Sequence, residues 1–250
     1  MGDKPPTYHE ATSMASPRME GIQIVLMYFS WTDRIRLLGF PDNLQARVTE
    51  VLRRSWPKGI QDVRPFDESM EIKLRGNPFA HGGDEEKIAI RRVVLDLLDM
   101  FAKEGWGVGP VAGGLGRLGN YQAYGEKASL VLQRQLPQER LWLCVSFDSR
   151  DLIHLVNAPA HLAKAMCKAF GDRIEGCYQD FVSENFELRL KDAVWSQPTP
   201  KGAVQSRLIA LQVLRCLHEQ GYSLCASLDL DHGLGGTLYL SSGEIWFCCR

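Results

Sequence analysis

Apolar and polar positions alternate along this chain in two rhythms, and the same order of rhythms runs twice. The stretch from Ile22 to Phe29 is apolar, and Ile35 and Leu37 then alternate with Arg34 and Arg36, so the pattern predicts a first strand around Ile22 to Leu38. Pro41 and Asp42 open a helix with Leu44, Val48, Val51 and Leu52 on one face. Arg53, Arg54 and Lys58 lie near its C-terminal end, where the helix dipole favours cations. Met70, Ile72 and Leu74 alternate with Glu71, Lys73 and Arg75, which predicts a second strand with one apolar and one charged face. A second helix, about Asp84 to Glu104, begins with acids, is apolar through Val93, Val94, Leu97, Leu98 and Phe101, and ends at Gly105. A hairpin closes the unit.

The unit then recurs. Phe29, Asp33, Ile35, Leu37, Pro41 and Leu44 answer Phe147, Asp151, Ile153, Leu155, Pro159 and Leu162 at a constant offset of 118. Met70 to Arg75 answers Phe186 to Lys191 at offset 116, as Phe79 answers Trp195 and Arg91 answers Arg207. The expected organisation is an N-terminal tail over 1–21, one repeat over 22–134, a linker from Gln135 to Glu139 and a second repeat over 140–250. Each repeat reads as β-α-β-α-β-β. Strands with one charged face imply mostly antiparallel or mixed sheets with helices on one face, hence an α+β fold. Two small units hold marginal cores, so they are expected to pack together with pseudo-two-fold symmetry, sharing a sheet or burying part of their open faces.

Composition narrows the class. The chain has 250 residues, 45% of them hydrophobic, and a net charge of −1, which removes any bulk electrostatic case for nucleic acid or an acidic membrane. Nothing reaches the length of apolar sequence that a membrane-spanning helix needs, and the polar N-terminus lacks the apolar core of a secretory signal. The seven cysteines all lie in the second half, without C-x-x-C or zinc-type spacing. They read as reduced, mostly buried thiols, in the cytoplasm or in the nucleus as well. No cofactor, metal or catalytic site is expected. Gly114-Leu-Gly116-Arg-Leu-Gly119 matches a dinucleotide fingerprint, but a strand rather than a helix follows it, so a hairpin loop is the better reading. Asp229-Leu-Asp231-His232 looks ligand-like but alternates along a strand entering a hairpin.

Three sets of residues carry the functional expectations. Asp33, Arg91, Asp151 and Arg207 are polar residues shared by the two copies. They are either a duplicated site at the junction or structural ion pairs retained from the ancestral unit. Pro5-Pro6-Thr7-Tyr8 matches P-P-x-Y, the peptide class taken up by WW domains, with Pro5 and Pro6 preforming a polyproline II segment and Tyr8 as anchor. Asn77-Pro78-Phe79 matches the tripeptide read by EH domains, but its alignment with Trp195 makes Phe79 a packed anchor. The charged sheet face (Arg34, Arg36, Glu71, Lys73 and Arg75, with His154, Glu187, Arg189 and Lys191) shows no aromatic for base stacking. RNA binding by that face is therefore the weakest expectation. The leading one is a non-enzymatic intracellular interaction scaffold or adaptor with a WW-type tail ligand. The alternative is an enzyme or small-ligand binder with its site at the repeat junction.

The strings Ser55-Trp-Pro-Lys-Gly-Ile-Gln61 and Glu71-Ile-Lys-Leu-Arg-Gly-Asn-Pro-Phe79 resemble an uncharacterised eukaryotic family. Its members carry Ser-Trp-x-x-Gly-Ile-Gln and Lys-Leu-x-Gly-Asn-Pro-aromatic stretches. The resemblance covers roughly residues 33–106 and extends weakly to the second copy, which has Asp192-Ala-Val-Trp195 in place of Gly-Asn-Pro-Phe. It implies no activity. It singles out Trp56, Gly59 and Gln61 as a surface that only the first copy keeps, set against a plain capped helix end and loop.

Overall fold

A computed structural model describes residues 23–79, 84–109, 126–180, 185–230 and 244–250. The first repeat runs β1 (Ile24–Ser30), β2 (Arg34–Leu38), α1 (Asp42–Ser55), β3 (Ile60–Phe66), β4 (Ser69–Leu74), α2 (Asp84–Lys103), β5 (Trp106–Val108) and β6 (Glu126–Arg134). The second runs β7 (Trp142–Asp148), β8 (Leu152–Val156), α3 (Ala160–Phe170), β9 (Ile174–Asp180), β10 (Asn185–Leu190), α4 (Pro200–Glu219), β11 (Ser223–Asp229) and β12 (Glu244–Cys249). The described strands form two six-stranded sheets, β3-β4-β2-β1-β6-β5 and β9-β10-β8-β7-β12-β11. Every pairing in them is antiparallel. The two orders are the same order of equivalent strands, so the α+β architecture of two like repeats is plain in the topology.

Each repeat carries two more strands than its pattern predicts. The expected strand over 22–38 is the hairpin β1–β2, and β3 precedes the strand around Met70. Both turns are made by non-glycine residues in left-handed backbone, Trp31 at φ 55° and Asp67 at φ 51°. Neither supplies the Gly or Asn-Gly signal that marks a tight hairpin. Pro65 sits in β3, which is tolerated because β3 is an edge strand.

Local chemistry explains why both copies fold alike. Ser149 repeats the left-handed turn of Trp31 at φ 53°, and Gly221 repeats Gly105, at φ 79° and 74°. The chain after β4 returns so that Phe79 N–H donates to Thr32 O at 3.0 Å; after β10, Trp195 N–H donates to Arg150 O at the same distance. Phe79 then stands edge-on to Phe29 with centroids 5.2 Å apart, and Trp195 edge-on to Phe147 at 4.9 Å. Such pairs add about 0.5–1.5 kcal/mol beyond their burial. Phe79 is wholly buried, so the Asn-Pro-Phe tripeptide is a core anchor after a turn.

The packing of the repeats departs from the expected pseudo-two-fold. Sheet 1 covers one side of α1 and α2, and sheet 2 lies on the other side of α2. Trp142, Cys144, Val156, Leu228, Ile245 and Phe247, from the back of sheet 2, join the core of the first repeat. The front of sheet 2 (Leu143, Val145, Phe147, Ile153 and Leu155) packs on its own helices α3 and α4. The layers are therefore sheet, helices, sheet, helices. A two-fold would bring α4 to the back of sheet 1 as α2 comes to the back of sheet 2; instead the repeats stack head to tail, a heterologous contact. The physical reason lies in the two sheet backs. That of sheet 2 is largely apolar, so β7 and β8 are buried along their whole length, whereas the back of sheet 1 is ionic.

Candidate functional site

The junction is pinned by one carboxylate. Asp148 ends β7 and accepts two hydrogen bonds from Arg91 on α2, Nη2 to Oδ1 at 2.7 Å and Nη1 to Oδ2 at 3.0 Å. Ser146 Oγ donates to the same carboxylate at 2.7 Å, and His154 Nδ1 on the neighbouring strand β8 lies 2.7 Å from it. His154 Nε2 is 3.1 Å from Glu187 Oε1 on β10. Arg92, next to Arg91, donates to Asn185 at 3.3 Å. Burial alone would raise the Asp148 carboxyl, but Arg91 and His154 outweigh it and hold it well below the usual carboxylate range. Burial draws the His154 imidazole down, and its bond to Asp148 more than offsets this, so it titrates above its usual value. Ser, Asp and His meet here, yet the Ser146 hydroxyl is given to the aspartate, and both Ser146 and His154 are buried. That arrangement holds a charge in place rather than activating a nucleophile.

At the other end of β7, around Trp142, opens a cleft of about 300 Å³. Phe101 and Trp106 of the first repeat and Arg140, Trp142 and Cys225 of the second line it. It lies at the small end of the range for ligand pockets.

The four shared polar residues do not come together. Arg91 is sealed in the junction, while Arg207 is exposed on α4 and donates to Ala203 O at 3.0 Å. Asp33 lies 3.8 Å from Lys73, and Asp151 lies 3.3 Å from Arg189, its equivalent pair in the second repeat. Burial raises the Asp33 carboxyl somewhat against the pull of Lys73 and Arg34. The residue that answers Arg91 is Asp148, whose equivalent in the first repeat is Ser30, so an alignment of the two copies hides it. Its signal in the sequence was a lone aspartate ending an apolar strand, which is also the sign of a turn.

Trp56 is buried, donates from Nε1 to Arg75 O at 3.0 Å and caps the end of α1. Gly59 follows at φ 77° and donates to Trp56 O at 3.0 Å, while Gln61 is exposed on the edge strand. The three form a helix end and a turn. Pro5, Pro6 and Tyr8 lie outside the described residues, as do the glycine-rich segment at 114–119 and Asp231 and His232.

The back of sheet 1 corrects the expected face. Glu71 is buried there and takes hydrogen bonds from Arg34 at 3.1 Å, Arg36 at 2.9 Å and Arg64 at 2.8 Å. Burial would raise the Glu71 carboxyl, but the three arginines bring it below its usual value. Aromatics are present after all: Arg36 lies over the rings of Phe66 (4.3 Å) and Tyr28 (5.6 Å), and Arg34 over Trp31 (5.7 Å). They escaped the sequence pattern because β1 and β3 were not resolved as strands of their own. Cations and rings are committed to one another, which leaves less for a phosphate or a base.

The second repeat has an open face where the first has the junction. Val204, Leu208 and Leu211 on α4 are 56%, 45% and 42% exposed. Their equivalents at offset 116 are Ile88, Arg92 and Leu95 on α2. Ile88 packs on the core that spans the junction, and Leu95 is buried in it.

The fold thus defines a class: a stack of two α+β domains joined head to tail through an ionic pin. A family model for a domain of uncharacterised type matches the chain twice, over residues 23–109 and 141–249. The matches cover well over half of the chain, and the protein belongs to this family with two copies of its domain. Searches of curated proteins and of solved structures each gave no significant match. Among the described residues, no helix is long and apolar enough to cross a membrane, and no group of three or more His, Cys, Asp or Glu is placed to hold a metal ion.

Proposed function

We propose that the chain is an interaction scaffold of the cytoplasm, with the nucleus open to it, whose docking face is the exposed side of α4. The observation that carries this reading is the equivalence of α4 to α2. In α2 that face already binds the back of a sheet; in α4 the same face presents Val204, Leu208 and Leu211 to solvent with Arg207 beside them. The partner is a protein that offers what sheet 2 offers α2: a flat apolar sheet back with a carboxylate to receive the guanidinium. A second copy of this chain is a poor occupant. At the places of Asp148 and His154 its sheet 1 has Ser30 and Arg36, so Arg207 would face a cation. The Pro5-Pro6-Thr7-Tyr8 segment supplies a second contact for a WW-domain protein. The Ser55–Gln61 and Glu71–Phe79 strings are, on this reading, the signature of the family's domain.

A photo-reactive residue at Leu211 tests the docking face. The expected product is a cross-link to a partner peptide from an alternating strand with an Asp or Glu, lost in Leu208→Asp, while the melting temperature stays unchanged. Cross-linking only between copies of the chain, or a partner indifferent to Leu208→Asp, overturns the reading. Tyr8→Ala removes WW-domain partners from a pull-down if the tail is a ligand; retention of every partner removes the tail from the account. The cleft beside Trp106 and Trp142 favours the second reading, a small-ligand binder at the junction. In that case a small-molecule screen finds stabilisers whose effect is lost in Trp106→Ala.

A further inference from the structure

Two of the seven cysteines meet at the junction cleft. Cys144 and Cys248 are sealed in the core, and burial pushes the Cys144 thiol up to about 12. Cys225 and Cys249, on the paired strands β11 and β12, have sulfurs 2.6 Å apart. The pairing slips between Leu224 and Ala226, so Cys225 is the extra residue of a β-bulge, the device that re-aims a side chain. Cys225 lines the 300 Å³ cleft and is half-buried, while Cys249 lies behind it, 2% exposed. Arg140, just before β7, donates to Cys249 Sγ at 2.9 Å, and Gln138 of the linker accepts from Arg140 Nε at 2.9 Å, which holds the guanidinium over the sulfur.

We propose that Cys249 and Cys225 are the attacking and resolving thiols of a dithiol site that reduces hydrogen peroxide entering through the junction cleft. The geometry supplies each part. A cation sits on one sulfur, a second sulfur is within reach of a bond, and the cleft reaches the pair at Cys225. The ionisable groups around Cys249 are Cys225 on β11, Cys248 beside it on β12 and Arg140 just before β7. The hydrogen bond from Cys225 lowers the Cys249 thiol, burial opposes this and Arg140 adds to it, leaving it at about 6, so the thiolate predominates at neutral pH. Cys225, whose proton is held by that bond and by burial, is raised.

In the first step the Cys249 thiolate attacks one peroxide oxygen. The S–O bond forms, the O–O bond breaks, and hydroxide leaves and takes a proton from solvent. In the second step Cys225 sulfur attacks Cys249 Sγ. The S–S bond forms, the S–O bond breaks, and the oxygen leaves as water with the Cys225 proton. The two cysteines lose two electrons, and the peroxide becomes two waters. The site is independent of the α4 docking face and can stand or fall without it.

The test uses the reduced full chain and hydrogen peroxide, with peptide mapping and a sulfenic-acid trap. The expected result is a Cys225–Cys249 link in the wild type and a trapped Cys249 adduct in Cys225→Ser. The reaction rate should rise with pH through a midpoint near 6. Arg140→Gln, checked for an unchanged circular dichroism spectrum, slows the reaction roughly tenfold as the thiolate fraction falls toward that of an ordinary cysteine. Oxidation of the exposed Cys177 ahead of the pair, or no trapped Cys249 in Cys225→Ser, overturns the proposal. So does an Arg140→Gln chain that folds and reacts at the wild-type rate.

Discussion

Arg91 and Arg207 occupy the same place on equivalent helices, 116 residues apart. The first is sealed against Asp148, and the second turns to its own helix and solvent. Leu95 and Leu211 differ in the same way, one in the core of the junction and the other 42% exposed. The difference arises from neighbours rather than from helix chemistry. Sheet 2 offers α2 an apolar back with one carboxylate, and no described residue offers α4 the same. A head-to-tail stack always ends so, with one sheet back and one helix face left over. Here the leftover sheet back is closed by Glu71 and its three arginines, and the leftover helix face is apolar.

The largest break in that comparison comes from the pin. Arg91→Ala leaves the buried Asp148 without its guanidinium and is expected to cost about 3–5 kcal/mol, whereas Arg207→Ala stays within about 0.5 kcal/mol. Urea unfolding of the full chain measures both; equal losses would mean that the junction contributes nothing. Next comes the apolar pair. Leu95→Ala should cost about 2–5 kcal/mol and Leu211→Ala again about 0.5 or less, with the same readout.

A smaller effect is set by pH. The folded-state value of His154 is raised, so its contribution is fully present below its unfolded value of 6.5 and is lost as pH climbs through the folded value. Asp148 is lowered, so its contribution is present above its unfolded value of 3.8 and is lost as pH falls toward the folded value. The junction is therefore firmest between these two unfolded values. The first repeat has Arg36 where the second has His154, so it adds no alkaline limb of this kind. His154→Gln should flatten the fall of stability above pH 6.5, and an unchanged alkaline limb would remove His154 from the account. The smallest effect sharpens the likeness of the repeats: Asp33→Ala and Asp151→Ala break equivalent partly exposed pairs and should cost the same, about 0.2–1 kcal/mol each. Melting temperatures that fall in only one of the two would show that the pairs are not equivalent.

The alternation at Met70 to Leu74, the helix stripe from Leu44 to Leu52 and the offset from Phe29 to Phe147 were legible because each records a local period or a contact made inside one unit. The β1–β2 and β3–β4 hairpins were not, since Trp31 and Asp67 take left-handed backbone without a glycine to announce it. The candidate sites were legible in part. Arg91 stood out as a repeated cation, but its partner Asp148 has no counterpart in the first copy, and comparing copies favours what they share. Cys225 and Cys249 are 24 residues apart on different strands, and a bulge that follows no simple period brings them together.

By itself the chain's order of residues determined that there are two units, that each folds with the same strands around the same helices, and that Phe79 and Trp195 anchor each one. Those outcomes rest on short-range periodicity and on contacts within a unit, which duplication copies intact. Only the tertiary structure decided which back meets which helix, and so which of two identical arginines is buried. An arginine side chain carries the same charge in both places, and its role follows from the surface that removes it from water.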